Sequence, residues 1–321
     1  MTSITTKPYH SYTKQLALLL SKSKNQKNPA LWLHSNNART CVFMLEGITR
    51  IIKRTTDDSF SSKLHKIFKK LEDELGKIDY YISLERELSA NQNISENAIG
   101  YFRKKLEKNL EKFNKKLKKK NFYEKELKQL ETLDKTDYND KAFWILVHEQ
   151  IKTEIMQAEE FFNKHEEGFT EMETQVHELR RKLRWISIYA QALQGRIVLN
   201  AHKSIYKWEK EFLIKEITNS SFNKLPVKKG LNYYIPLNQK AFYALSYLIQ
   251  ELGTIKDKAL TIEALAKALK KTHPLKLSDV EETAAEQLGE KENIEQLLKN
   301  AHQLLSKFFN LYAIHLELLK V

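Results

Sequence analysis

Hydrophobic residues recur every three or four positions along most of the chain, which is the period of an amphipathic α-helix. Polar capping residues stand where several of these periods begin, such as Ser95 before Glu96. The predicted helices cover residues 11–23, 29–53, 59–88, 95–133, 139–164, 170–216, 238–252, 261–271 and 294–319. The pattern therefore predicts an all-α fold.

One stretch interrupts the helical pattern. Residues 223–238 read NKLPVKKGLNYYIPLN, and their two prolines, glycine and adjacent tyrosines predict an ordered loop with a short extended piece. The whole chain of 321 residues has only eight glycines and five prolines. So few turn formers argue against a sheet-rich fold.

A short motif occurs twice along the chain, once in each half. The motif E-L-G-x-I occurs around Gly76 and again around Gly253, each time shortly before an aspartate. Each copy follows a helix that contains a histidine, His34 in the first case and His177 in the second. A repeated supersecondary unit of this kind predicts a duplicated architecture.

We therefore predict two related helical halves. The first covers residues 1–135 and the second covers residues 136–321, with an ordered insertion near residues 216–237. The insertion explains why the histidine and the glycine are farther apart in the second half.

The charge of the chain indicates an anionic partner. The formal net charge is +13 and the isoelectric point is about 9.4, but charge alone does not choose among nucleic acid, a membrane surface and another polyanion.

The single cysteine, Cys41, excludes an intrachain disulfide framework and fits a reducing compartment. The apolar run LALLL (residues 16–20) is too short for a signal peptide or a membrane span, so we expect a soluble, cytoplasmic protein without membrane insertion.

The stretch HELRRKLRW, residues 177–185, carries the most specific chemistry. At about 100° per residue, one helix face collects four basic or titratable side chains, namely His177, Arg180, Arg181 and Arg184. This face, called the arginine stripe below, has no carboxylate after Glu178, so we expect no ion pair four residues apart to neutralise it. Arginine rather than lysine suits two-pronged recognition of phosphate.

A second basic segment is richer in lysine. Residues 101–120 contain ten Lys or Arg against two Glu. Hydrated lysines attract an anion over a distance more than they hold it, so we interpret them as secondary electrostatic contacts. The lysines concerned are Lys104, Lys108, Lys112, Lys115, Lys116 and Lys119.

Sequence signatures of enzymes are missing. The chain has no glycine-rich phosphate loop and no H-E-x-x-H motif. We therefore expect no catalysis, no cofactor and no metal. The alternatives to polyanion binding are a helical module that binds an acidic protein or nucleic acid and, less favoured, a phosphohydrolase.

Taken together, the H-x-x-R-x-x-x-R pattern, the weaker histidine helix of the first half and the following L-G-x-I motif resemble the CHAD (conserved histidine α-helical domain) family. The resemblance implies two helical bundles related by a pseudo-twofold axis, with a basic groove between them. It also implies non-catalytic binding of inorganic polyphosphate in the cytoplasm, in association with polyphosphate granules. His177, Arg180 and Arg184 match the family's histidine and its basic positions three and seven residues further on.

The first half departs from this pattern. His34 stands at the family's histidine, but Asn37 and Cys41 occupy the positions at which arginine is expected. Arg39 is the nearest cation, and in one continuous helix it would lie about 140° away from the face of His34. The expected polyphosphate site therefore comprises the arginine stripe with a smaller contribution from His34 and Arg39.

Overall fold

The computed structural model of the protein describes residues 10–56, 59–119, 141–272 and 277–320, and it is mostly helical. This confirms the predicted all-α class. The helices are α1 (His10–Ser23), α2 (Pro29–Ser35), α3 (Ala38–Thr56), α4 (Ser59–Ser89), α5 (Glu96–Leu117), α6 (Lys141–Asn163), α7 (Glu178–Ala192), α8 (Glu209–Phe212), α9 (Lys215–Thr218), α10 (Gln239–Thr272), α11 (Leu277–Leu288), α12 (Ile294–Ser306) and α13 (Ile314–Glu317). The strands are β1 (Ile197–Asn200) and β2 (Ile235–Asn238).

The chain forms two compact units. Residues 1–139 and 265–288 make up the first unit, and residues 140–264 and 289–321 make up the second. We expected residues 265–288 in the second half, but they pack in the first unit. There the Asn91 side chain donates a 3.0 Å hydrogen bond to the carbonyl of Gln287, and the ammonium of Lys271 lies 5.4 Å from the ring centre of Tyr101.

The core of the first unit comes from the apolar faces of α3, α4 and α5. Fully buried side chains recur at helical spacing, as the periodicity predicts, and they include Val42, Leu45, Ile48, Leu64, Leu75, Ile78 and Phe102. The Asn114 side chain of α5 fixes the start of α2, because it accepts from the amide of Ala30 and donates to Asn28. The predicted single helix over residues 29–53 is wrong, since it is divided between α2 and α3. Asn37 lies at this break with a φ of 56°, a conformation that asparagine tolerates better than most residues.

The core of the second unit is more aromatic. Trp144, Phe162, Tyr189, Phe212 and Phe308 are buried there. Phe162, Phe212 and Phe308 contact neighbouring aromatic or histidine rings at edge-to-face or tilted angles. Such contacts add to the stabilisation that burial itself supplies.

The long helix predicted over residues 170–216 is also divided. A π-helical segment, Met172–His177, leads directly into α7, and α7 ends at Ala192. Gln194 and Gly195 then adopt positive φ values of 50° and 88° and turn the chain into β1. The strand β1 pairs in parallel with β2, with Ile197 opposite Ile235, which confirms the short extended piece expected near residue 235.

Two further differences concern the end of the chain. The helices predicted over residues 238–252 and 261–271 are a single helix, α10, which runs through Gly253 without interruption. The helix α11 was not predicted. The predicted helix ends near residues 133 and 139, and the predicted boundary between residues 135 and 136, lie outside the described residues.

Candidate anion-binding site

Each copy of the E-L-G-x-I motif places a glycine against an arginine. A Cβ atom added to Gly76 in α4 would lie 3.1 Å from Nη2 of Arg39. One added to Gly253 in α10 would lie 2.9 Å from Nη2 of Arg180. A glycine inside a helix costs about 1 kcal/mol relative to alanine. The guanidinium lies so close to the helix backbone that a larger residue would crowd it, which explains why glycine occupies both positions.

In the first unit the arginine is neutralised by carboxylates. Nε of Arg39 donates to Glu72 over 2.9 Å, and Nη2 lies 2.8 Å from the same carboxylate. Nη1 of Arg39 donates to the second carboxylate, that of Asp79. The other oxygen of Asp79 lies 3.0 Å from Nε2 of His34. The first unit therefore holds a closed network of one arginine, one histidine and two acids.

The position of Arg39 corrects one expectation from the sequence. In a continuous helix Arg39 would lie about 140° from His34, but the break at Asn37 separates α2 from α3. The two side chains consequently reach the same carboxylate, Asp79.

In the second unit the equivalent positions hold one apolar residue and one basic residue in place of the two acids. Glu72 and Asp79 lie four residues before and three residues after Gly76, and Ile249 and Lys256 lie four before and three after Gly253. A network of the first kind therefore cannot form around Arg180.

The contacts of Arg180 reflect this replacement. Its Nε donates to the backbone carbonyl of Ile249 over 2.8 Å. Among the residues that the structure describes, no carboxylate oxygen lies within 4.0 Å of the Arg180 guanidinium. Burial lowers the pKa of Arg180, and the more distant charge of Asp257 opposes that shift. Asp257 itself lies 2.5 Å from the ammonium of Lys256. Arg180 is thus partly desolvated without an adjacent acid.

His177 lies in the same cationic surroundings, at the end of the π-helical segment. Burial lowers its pKa to about 4, with further lowering by the charges of Lys256, Arg180 and Arg181. Its nearest carboxylate, Glu173, is 4.0 Å away, and its buried Nδ1 has no hydrogen-bond partner among the described residues. The imidazole is therefore neutral at pH 7, and a negative charge placed near it would favour its charged form.

The remaining members of the arginine stripe differ in exposure. Arg181 is 52% exposed and lies 2.5 Å from the carboxylate of Glu178, a pair three residues apart that the expectation about pairs four residues apart did not cover. Arg184 is half-buried. One turn further on, the buried hydroxyl of Ser187 has no hydrogen-bond partner among the residues the structure covers. The second unit thus gathers several donors along one helix face.

The lysines of α5 in the first unit form an exposed face. Lys116 is half-buried and pairs with Glu74, and Lys115 lies 2.5 Å from Glu111. The other predicted lysines are exposed and form no ion pair with any residue that is described; they are Lys104, Lys108, Lys112 and Lys119.

Within the described ranges the chain forms neither a metal centre nor a membrane-spanning helix. No group of three or more His, Cys, Asp or Glu side chains there is arranged to hold a metal ion. No helix of the described chain is long and apolar enough to cross a membrane.

No protein-family model, curated protein or solved structure matches the chain. The resemblance to the CHAD family, and with it the pseudo-twofold arrangement and polyphosphate as the ligand, therefore stays a prediction. Sequence reasoning found His34, Arg39, His177 and Arg180, but it missed Glu72 and Lys256. The signal that leads to both is their spacing from the repeated glycine.

Proposed function

We propose that this protein binds inorganic polyphosphate or a similar phosphate-rich polyanion without transforming it, and that Arg180 is the principal contact. One observation supports the proposal above all others. Around Gly76 two carboxylates neutralise the arginine, whereas around Gly253 the same positions hold Ile249 and Lys256. An anion supplied by a ligand would take the place of the missing carboxylates.

The geometry of Arg180 suits such a ligand. The carbonyl of Ile249 holds Nε at 2.8 Å and so fixes the plane of the guanidinium. The terminal amino groups then remain for phosphate oxygens, which match the fork of donors on arginine. Partial burial strengthens these bonds, because the local dielectric constant is lower than that of water.

Neighbouring groups would extend the contact along a chain of phosphates. Lys256 and Arg181 add positive charge close to His177, as their lowering of its pKa shows. The Ser187 hydroxyl and the His177 imidazole are further hydrogen-bond donors, since the hydroxyl and Nδ1 of the imidazole have no partner among the described residues. A polyanion with one charge per phosphate would meet several of these groups at once.

The lysine face of α5 has a different role in this proposal. Lys104, Lys108, Lys112 and Lys115 lie within an arc of about 80° on the helix, at about 100° per residue, and Lys119 follows two residues after the helix end. Exposed lysines hold an anion weakly in salt but raise the rate at which it arrives. We assign the face to long-range attraction, which makes association depend strongly on ionic strength.

A pair of matched variants tests the proposal. Arg180→Ala should weaken binding of long-chain polyphosphate by about 1–3 kcal/mol, the range for hydrogen bonds to charged groups. Arg39→Ala should leave the affinity unchanged and instead lower the free energy of unfolding by about 1–2 kcal/mol, because it leaves Glu72 and Asp79 without their cation.

The titrations compare polyphosphate with RNA and duplex DNA at the same salt concentration, and urea unfolding followed by circular dichroism supplies the stabilities. Equal loss of polyphosphate affinity in the two variants would contradict the assignment to the second unit. Tighter binding of RNA or DNA than of polyphosphate would replace the ligand while keeping the site.

A further inference from the structure

The loop of residues 220–230 in the second unit exposes two large apolar side chains. Phe222 is 79% exposed and Val227 is 88% exposed. Scattered exposed hydrophobic residues are common on protein surfaces. Phe222 and Val227 exceed most exposed hydrophobic side chains of the described residues in exposure, and the backbone carrying them is fixed by hydrogen bonds and close packing.

Hydrogen bonds fix the first part of the loop. The buried side chain of Asn223 donates to the carbonyl of Ile217 over 2.7 Å and accepts from the hydroxyl of Ser246 over 2.6 Å. The carbonyl of Phe222 itself accepts from the side chain of Gln191 over 2.7 Å. Phe222 therefore projects from a fixed point of the backbone.

The second part of the loop is equally constrained. The hydroxyl of Tyr234 donates to the carbonyl of Lys228 over 2.9 Å. The backbone of Lys228 also passes so close to Gly195 that a Cβ there would lie 2.7 Å from the Lys228 amide nitrogen. The exposure of Val227 is consequently a feature of the folded loop.

The charged side chains of the loop itself are all lysines. Lys224 and Lys229 are exposed and form no ion pair with residues in the described part of the chain. No Asp or Glu occurs between Glu216 and Glu251. The partner that fits combines negative charge with an apolar interior.

We propose that this loop docks on an anionic lipid surface, with Phe222 and Val227 entering the boundary between headgroups and acyl chains and the lysines meeting the lipid phosphates. A protein partner would require a contiguous apolar patch. Here the exposed side chains next to the two apolar tips are polar or charged, namely Ser221, Lys224 and Lys229, and the apolar Leu225 and Pro226 between the tips are half-buried. A bilayer can bury isolated apolar side chains at any spacing, and its anionic headgroups attract nearby lysines.

Sedimentation with vesicles tests this docking. The protein should bind vesicles of phosphatidylcholine mixed with phosphatidylserine more tightly than vesicles of phosphatidylcholine alone. The double variant Phe222→Ser/Val227→Ser should lose about tenfold or more of that binding, since two inserted apolar side chains no longer leave water. Ile205→Ser is the matched control, because Ile205 is 90% exposed in the same unit but lies outside the loop.

Equal vesicle binding by the parent and the double variant would overturn the proposal, as would an equal loss in the Ile205→Ser control. A Phe222→Trp variant adds a direct readout, because brominated lipids should quench its extra fluorescence, and unchanged fluorescence would also overturn the insertion. The double variant should still bind polyphosphate like the parent. Failure of the lipid proposal and failure of the polyphosphate proposal are therefore distinguishable.

Discussion

The arginine clusters of the two units share a framework and differ in charge. In both, an arginine from one helix packs on a glycine within a long helix, and the matched positions lie four residues before and three residues after that glycine. Around Arg39 the network is complete, since Glu72 and Asp79 accept from the guanidinium and Asp79 also contacts His34. Around Arg180 one backbone carbonyl accepts from Nε, and Lys256 replaces the second acid.

This difference separates a structural arginine from a candidate binding arginine. A partly desolvated guanidinium without a carboxylate is unfavourable in the free protein, and a ligand anion would relieve that cost. The first unit supplies the same anions from its own chain, so it gains nothing comparable from a ligand. The carboxylates beside Arg39 therefore occupy the positions that the anionic groups of a ligand would take beside Arg180.

The largest expected effect comes from copying the acids of the first unit into the second. The double variant Ile249→Glu/Lys256→Asp should pair Arg180 internally and reduce polyphosphate affinity by about a hundredfold or more, through loss of two charged hydrogen bonds and added repulsion. Isothermal titration calorimetry measures the change. Lys299→Asp, a charge reversal at an exposed position of α12, is the control and should have little effect. Parental affinity in the double variant would place the ligand elsewhere.

A smaller effect is expected from pH, and its sign follows from His177. In the free protein the pKa of His177 is lowered to about 4, so the imidazole is neutral at pH 7. Phosphates bound nearby would favour the charged form and raise this pKa, so that binding takes up a proton. Affinity should then increase as the pH falls from about 6.5 toward 4, by up to about tenfold if the bound ligand raises this pKa to about 5.

Titrations at several pH values with the parent and the His177→Gln variant measure this dependence. The variant should bind with nearly constant affinity across the range, and His34→Gln should retain the parental dependence because His34 belongs to the neutralised cluster of the first unit. An affinity that decreases on acidification in the parent would contradict the position of His177 beside the ligand.

The sequence predicted the helical class and the repeated glycine motif because both are local patterns. Periodicity reports which face of a helix is buried, and the glycines stood out because a helix interior disfavours them. The breaks were harder to predict. Asn37 and Gln194 adopt positive φ, and nothing in a helical pattern around them requires this. Residues 265–288 belong to the first compact unit although they follow the second copy of the repeat, and the sequence pattern does not contain this because their partners lie far away in the chain.

The candidate site was predictable only in part. His177, Arg180, Arg181 and Arg184 follow from spacing along one helix. The roles of Glu72 and Lys256 depend on the register between two packed helices, which no single-helix pattern contains. The contact between each glycine and its arginine supplies that register.

The smallest expected effect concerns the glycines themselves and tests whether the guanidinium must lie on the helix backbone. Gly253→Ala places a Cβ 2.9 Å from Nη2 and 3.2 Å from Nε of Arg180, so the arginine has to move away from the carbonyl of Ile249. We expect polyphosphate affinity to fall about threefold, less than in Arg180→Ala because the charge remains nearby. Gly76→Ala makes the matched change against Arg39 at 3.1 Å and should leave the affinity unaltered. Both alanines improve helix propensity by about 1 kcal/mol, so a common change in stability cancels from the comparison. If Gly253→Ala binds polyphosphate as tightly as Gly76→Ala, the position of Arg180 on α10 does not matter for the ligand, and the parallel between the two clusters loses its functional meaning.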